Sequence, residues 1–173
     1  METLAMVGIG FLLILGFTVF TGAPYVPSRR RDIMAAFTHL YALSSKDTLL
    51  DLGCGDGVVL RAARSFGAKA IGYELGPVYA LIAKLLARGD KGQVVLMRNY
   101  WQVDFPAETT VVYAFSDTRD IKKLYKKVEQ QATKLHKNLA LITYGIAVPY
   151  KTPHKTYQAY FLYTITPCRT PKA

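Results

Sequence analysis

Asp51-Leu-Gly-Cys-Gly-Asp-Gly57 stands where a buried strand hands over to a helix, and its reading decides the fold. Residues 48–52 form a short apolar run that predicts a strand buried on both faces, and residues 58–66 predict a helix. The three glycines between them let the backbone turn tightly and come close to a ligand. The helix that follows aims its unpaired amides at whatever lies above the loop. Residues 70–74 predict a second strand, so strand, helix and strand make a parallel crossover. Glu74 ends that second strand, seventeen residues after Gly57. A carboxylate placed there can accept both hydrogen bonds of a ribose diol, and loop and acid together form one nucleotide-type site. A glycine turn or a surface glutamate alone is common; their joint placement carries the reading.

The details of the loop select the nucleotide. A dinucleotide loop reads G-x-G-x-x-G, its third glycine permitting close packing of the helix. Counted from Gly53, that position holds Val58, which makes NAD the poorer fit. Asp51 at the strand end would repel a pyrophosphate, whereas it complements a ligand bearing an ammonium and a sulfonium. Those two groups describe S-adenosylmethionine. The expected cofactor contacts are Asp51, Gly53, Cys54, Gly55, Asp56 and Gly57 on the loop and Glu74 with Leu75 on the second strand. Cys54 needs only to be small.

Working outward, 173 residues give one domain with a sizeable core plus an appendage. An apolar content of 51% excludes a disordered chain, and two distant cysteines exclude a disulfide-stapled scaffold. Ser28 is expected to cap a helix whose apolar positions Ile33, Ala36, Phe37, Leu40 and Tyr41 recur at helical spacing. Pro77 opens another helix, expected to bury Val78, Leu81, Ile82 and Leu85 and to end at Gly89. Strands are predicted at 93–97, 110–115, 139–144 and 156–164, with a long helix over 120–136. In that helix Ile121, Leu124, Tyr125, Val128, Ala132 and Leu135 make one apolar stripe and the lysines lie on other faces. The alternation predicts an α/β, Rossmann-like, doubly wound and mostly parallel sheet.

Residues 3–22 contain no charge, and twenty helical residues span the ~30 Å hydrocarbon layer of a bilayer. The run is too long for a signal peptide and lacks the basic residues that would precede one, so one N-terminal transmembrane helix is expected. Arg29, Arg30 and Arg31 follow it and only Glu2 precedes it, which places the rest of the chain on the cytoplasmic side. The expected organisation is an anchor at 1–22, a linker and amphipathic helix at 23–45, the cofactor domain at 46–166 and a tail at 167–173. The formal charge of +10 suits a domain held close to anionic lipid. No zinc-finger or RNA-recognition spacing accompanies that charge, so nucleic acid is not the expected partner. His39, His136 and His154 are isolated from one another and from the cysteines, and no metal is expected.

Pro24-Tyr-Val-Pro-Ser28, the loop continued as Val58-Val-Leu-Arg-Ala-Ala63, Gly72-Tyr-Glu-Leu-Gly-Pro77 and Tyr100-Trp-Gln-Val103 occur in that order. Together they resemble the membrane-anchored seven-β-strand lysine methyltransferases that modify the adenine nucleotide translocase and the ATP synthase c subunit, a family with prokaryotic relatives. The resemblance implies a class I methyltransferase fold, S-adenosylmethionine as methyl donor and a lysine of a membrane-associated protein as acceptor. It implies that Asn99 and Tyr100 lie at the cofactor. The family usually carries Asp at the position of Asn99 and Asn at that of Gly76. The segment after Tyr144, with Pro149, Lys151, Pro153 and His154, also diverges where the substrate mouth is expected.

Methyl transfer asks mainly for in-line positioning, desolvation and loss of one proton from the amine, so a dedicated base is not required. Tyr100 and Trp101 can wall an amine channel or stack on adenine, or serve as core aromatics. Asp104 is either a proton acceptor or a loop acid. Tyr25 is either an interfacial membrane anchor or part of the substrate site. The competing functions are methylation of a lipid or quinone-like molecule, and a non-catalytic interaction module built on the same fold.

Overall fold

The computed structural model describes residues 29–115 and 117–168. The expected anchor at 3–22, Tyr25 and the expected cap Ser28 lie outside the described residues. Among the described residues no helix is long and apolar enough to cross a membrane.

The elements run α1 (Arg30–His39), β1 (Thr48–Leu52), α2 (Val58–Arg64), β2 (Lys69–Glu74), α3 (Pro77–Leu86), β3 (Gln93–Met97), β4 (Val111–Phe115), α4 (Ile121–Lys134), β5 (Leu139–Tyr144), β6 (Lys155–Tyr157) and β7 (Tyr160–Ile165). They build one seven-stranded sheet in the order β3-β2-β1-β4-β5-β7-β6. The first five strands of that order are parallel, and β7 and β6 close the far edge antiparallel. This is the class I methyltransferase arrangement of a Rossmann-like sheet. All five residues of β1 are buried, as its central place between β2 and β4 and under helices on both faces demands. The direction of winding reverses between β1 and β4, and in sheets of this kind ligands bind at the carboxyl ends of the strands at that point.

Helices α1, α2 and α3 cover one face, over Leu49, Ala70, Val95, Val111 and Ile142. Helix α4 covers the other, its Ile121, Leu124, Val128 and Ala132 packed on Leu50, Val112 and Leu141. The α4 stripe is the one the 3.6-residue period predicts. Ile33, Ala36 and Phe37 of α1 are wholly buried in the same core as α2, so this helix lies on the sheet, as its apolar spacing leads one to expect.

The structure corrects three sequence expectations. Arg29, with extended backbone and no side-chain capping bond, occupies the N-cap of α1 where Ser28 was expected. The run 156–164 is a hairpin and not one strand. It turns at Gln158, whose φ of 51° breaks the extended path so that Tyr157 pairs with Tyr160.

Helix α3 rests on the sheet through Ala80 and Ala83, while Val78, Leu81, Ile82 and Leu85, expected inside, are exposed. The cause is proximity: a Cβ on Gly57 would stand 3.3 Å from the Cβ of Ala83. A helix that close to the start of α2 can turn only small residues inward, and its large side chains go to the other side. Periodicity could not choose, because α3 is apolar all round. No helix follows β3, so Val94 and Leu96, on the sheet face away from α3, are exposed as well.

Phe37 lies edge-on to Phe66 at 6.1 Å and to Tyr113 at 6.2 Å between ring centroids. Phe37→Ala should cost about 3–5 kcal/mol of folding stability, as for other buried aromatics, measured by urea denaturation of the full chain. A loss within about 0.5 kcal/mol, the range of surface substitutions, would show that α1 is peripheral.

Candidate functional site

The loop after β1 is built from three left-handed glycines, Gly53, Gly55 and Gly57, with φ of 85°, 53° and 79°. Only glycine takes such angles without strain, and three in alternation coil the chain into a shallow cradle. The backbone N–H groups of Gly53 and Cys54 donate to the carbonyl oxygen of Tyr73 at 2.8 and 3.0 Å, which lashes the loop to the end of β2. Glu74, the next residue, completes the attachment. Gly55 N–H donates to its Oε2 at 2.8 Å and Gly76 N–H to its Oε1 at 2.7 Å. One carboxylate thus joins the glycine loop to the start of α3, and the sequence-predicted loop and acid form one site.

Space around the loop is apportioned by small residues. A Cβ on Gly72 would fall 2.5 Å from Cys54 Sγ and 2.7 Å from Leu60 Cδ1, so the loop can lie down on β2 only because this position has no side chain. Cys54 is buried, and burial pushes its thiol up, beyond ionisation at neutral pH. A Cβ on Gly53, in contrast, would meet nothing within 4 Å, and the cradle is open there.

Asp51 beneath the cradle is 2% exposed, and its Oδ2 has no hydrogen-bond partner. Burial raises its carboxyl well above the usual carboxylate range, and the nearby Glu74 and Asp56 charges add to the shift. An orphaned buried carboxylate under an open glycine cradle fits a ligand carrying positive charge. Glu74, with lone pairs remaining, fits a ligand carrying hydroxyls. These are the two demands of S-adenosylmethionine, and the residues present fit that group.

The remaining predicted residues divide. Asp56 is engaged within the loop, its Oδ1 accepting Val58 N–H at 3.1 Å and its Oδ2 lying 3.2 Å from Arg61, so its side chain holds the entry to α2. Leu75 is exposed beside Glu74 at the carboxyl edge. Asn99 Oδ1 accepts Trp101 N–H at 3.1 Å, and this turn sets the Tyr100 and Trp101 rings 4.6 Å apart. Tyr100 is half-buried, its hydroxyl pushed up to about 12 by burial and by the charges of Asp120, Asp117 and Glu74. Trp101 lies against α4 with the Lys123 ammonium 4.2 Å from its ring centre.

Asp104 is engaged as a loop acid, the second of its two readings. It bonds Gln131 at 3.0 Å and Lys134 at 2.6 Å, in the last turns of α4. Its carboxylate is thus held at the last turns of α4, and its carbonyl oxygen accepts the Tyr73 hydroxyl at 3.0 Å. The two bonds hold its carboxyl below the usual range, the reverse of what a proton acceptor needs. The sequence reading missed Asp117 and Asp120, which follow β4 at the edge and act electrostatically on Tyr100. Their signal was present: two acids directly after a predicted central strand. Among the described residues no group of three or more His, Cys, Asp or Glu can hold a metal.

No family model matches the chain. A protein-lysine N-methyltransferase of Saccharolobus islandicus is 31% identical over 113 residues, which cover 62% of this chain and 69% of that protein. The ATP synthase c-subunit lysine N-methyltransferase of Rattus norvegicus is 28% identical over 154 residues, 85% of this chain and 68% of that one. Among solved structures, an RNA methyltransferase of Salinibacter ruber in complex with S-adenosyl-L-homocysteine superimposes with a TM-score of 0.73 at 22% identity. That match spans 85% of this chain and 98% of the other, and it is a likeness of fold.

Three substitutions test this geometry. Gly72→Ala should lower folding stability by about 1–3 kcal/mol, the cost of overpacking, and adding Cys54→Ala should restore part of it; equal stability of Gly72→Ala and wild type in urea titrations would contradict the close approach. Folding raises Asp51 above its unfolded value near 4, so the ligand-free chain is spared this burden below about pH 4 and loses stability as pH rises through the native value. Asp51→Asn should therefore melt above wild type at pH 7, with the gap closing toward pH 4.

Proposed function

The chain belongs to the protein-lysine N-methyltransferase family, and from that membership we propose that it methylates a lysine side chain of a membrane-associated protein while tethered to the bilayer by residues 3–22. It is a class I S-adenosylmethionine-dependent methyltransferase. The observation that carries the reading is Glu74 bridging the amides of Gly55 and Gly76 beside the buried, unpartnered Asp51. In this reading Glu74 binds the ribose hydroxyls, Asp51 faces the cationic end of the cofactor across the Gly53–Gly57 loop, and Leu75, Asn99 and Tyr100 border the adenine.

The bound cofactor supplies a methyl group on a sulfonium that is its own leaving group. The work left to the protein is placement. Asp51 and Glu74 would hold two ends of one flexible ligand, which restricts the directions in which its methyl can point. Tyr100 keeps its hydroxyl proton at neutral pH, so it offers the approaching amine a neutral, partly dry wall. Asp120 stands beside Tyr100 and supplies negative charge there, which attracts a lysine in its charged form, whereas Asp117 is paired with Arg119 at 2.5 Å.

The substrate class rests on the relatives, which are named for lysine methylation. Tethering rests on the charge-free run at 3–22 and the arginines at 29–31 that follow it, which also put the catalytic domain on the cytoplasmic side. To test the substrate, the full chain is incubated with methyl-labelled S-adenosylmethionine and membranes from cells lacking it. Label is expected in protein, on lysine by mass spectrometry. Label confined to the organic extract would overturn the lysine assignment in favour of a lipid or quinone-like acceptor, and no transfer at all would favour a non-catalytic module.

Glu74→Ala should weaken S-adenosylmethionine binding roughly ten- to hundredfold, since hydrogen bonds to a charged group are worth about 1.5–3 kcal/mol. Calorimetric titration reads this directly, and an unchanged affinity would refute the role of Glu74.

A further inference from the structure

Helix α3 presents to solvent the side that a soluble helix normally turns inward. Leu81 is 58% and Leu85 60% exposed, and Val78, Ile82 and Leu86 share their side of the helix, opposite the sheet-facing Ala80 and Ala83. Scattered apolar residues on a surface need no explanation, but a contiguous ridge of five large ones on a ten-residue helix marks an interaction surface. The ridge is flanked by exposed Lys84 and Arg88, with Lys91 just beyond. Between Leu75 and Arg98 the only acid is Asp90, and Arg64 neutralises it at 2.9 Å.

That charge pattern selects the occupant. A second copy of the chain meeting this ridge symmetrically would set cations against the same cations. Residues 1–28 contain one acid, Glu2, against the three cations beside the ridge. A leaflet of anionic lipid satisfies both parts, taking the leucines below its headgroups and the lysine and arginine among them, the division used by helices that lie in a membrane interface.

We propose that the outer side of α3 docks into the headgroup region of an anionic bilayer, a second contact beside the N-terminal tether. Since α3 begins just after Glu74, docking brings the mouth of the cofactor site down to the membrane surface. The acceptor lysine is then one that emerges close to the lipid headgroups. This placement deepens the proposed function and rests on it for the identity of the acceptor, while the docking itself rests on α3 alone.

The test uses the full chain carrying Cys168→Ser and Leu85→Cys, with an environment-sensitive fluorophore on the new cysteine; the remaining Cys54 is buried. The protein is reconstituted into vesicles of phosphatidylcholine alone or with phosphatidylserine, containing spin-labelled lipid as quencher. Flotation with phosphatidylcholine vesicles in high salt, which removes the anionic-lipid contribution of Lys84 and Arg88, reads the tether separately from docking. The expected result is lipid quenching at position 85 and none at a control label in Lys126→Cys on α4. Docked over undocked should rise roughly thirtyfold with phosphatidylserine, as two cations close to an anionic leaflet would give. Floating protein without quenching at position 85 would overturn docking and leave the tether intact. Quenching equal in both lipids would overturn the anionic-lipid assignment, and energy transfer between labels on two copies would overturn it in favour of a dimer face. Protein that fails to float refutes the tether.

Discussion

A single carboxylate holds the site together. Glu74 stands at the end of β2, and its two oxygens accept amides from opposite directions, Gly55 on the loop and Gly76 at the start of α3. Three left-handed glycines have no intrinsic reason to stay coiled, since glycine loses more backbone freedom on ordering than any other residue. Their conformation is fixed from outside, by Glu74 and by the Tyr73 carbonyl that receives Gly53 and Cys54. The cradle is thus ordered before a ligand arrives, and little of the binding energy goes into arranging it.

The same region is organised by what it leaves out. Gly72 has no side chain, so Cys54 and Leu60 can pass over β2; Gly57 and Ala83 meet because neither carries more than a methyl. Close approach draws α2, α3 and β2 into one block around the loop. The leucines of α3, which a looser packing would have accommodated inside, face outward as a result. Buried Asp51 is a local loss of the same kind. Its carboxylate is costly without a partner, and such a cost at an open cradle is what a cationic ligand can recover.

The sheet and the core of the site were legible in the sequence because they depend on local rules. β1 falls on the predicted run residue for residue, the glycine loop sits where strand gives way to helix, and Glu74 is positioned by the length of one crossover. What could not be read depends on contacts between distant segments. The outward turn of α3 follows from its distance to α2, which no period in its own sequence encodes. Asp104 could be read as a proton acceptor or a loop acid, and the choice rests on Gln131 and Lys134, some thirty residues on, which engage its carboxylate. The hairpin at Gln158 was missed because its turn uses neither glycine nor proline, the residues that usually announce one. Asp117 and Asp120 were visible as acids, but their nearness to Tyr100 depends on how the segments after β3 and β4 are seated.

A crystal structure of the full chain grown with S-adenosyl-L-homocysteine gives the sharpest decision. The ribose diol should lie within hydrogen-bonding distance of the Glu74 carboxylate, with the amino-acid end of the ligand over Gly53 and toward Asp51. A ribose bound away from Glu74, or a glycine cradle left empty while the ligand sits elsewhere, would contradict the assignment of this loop and acid as the cofactor site.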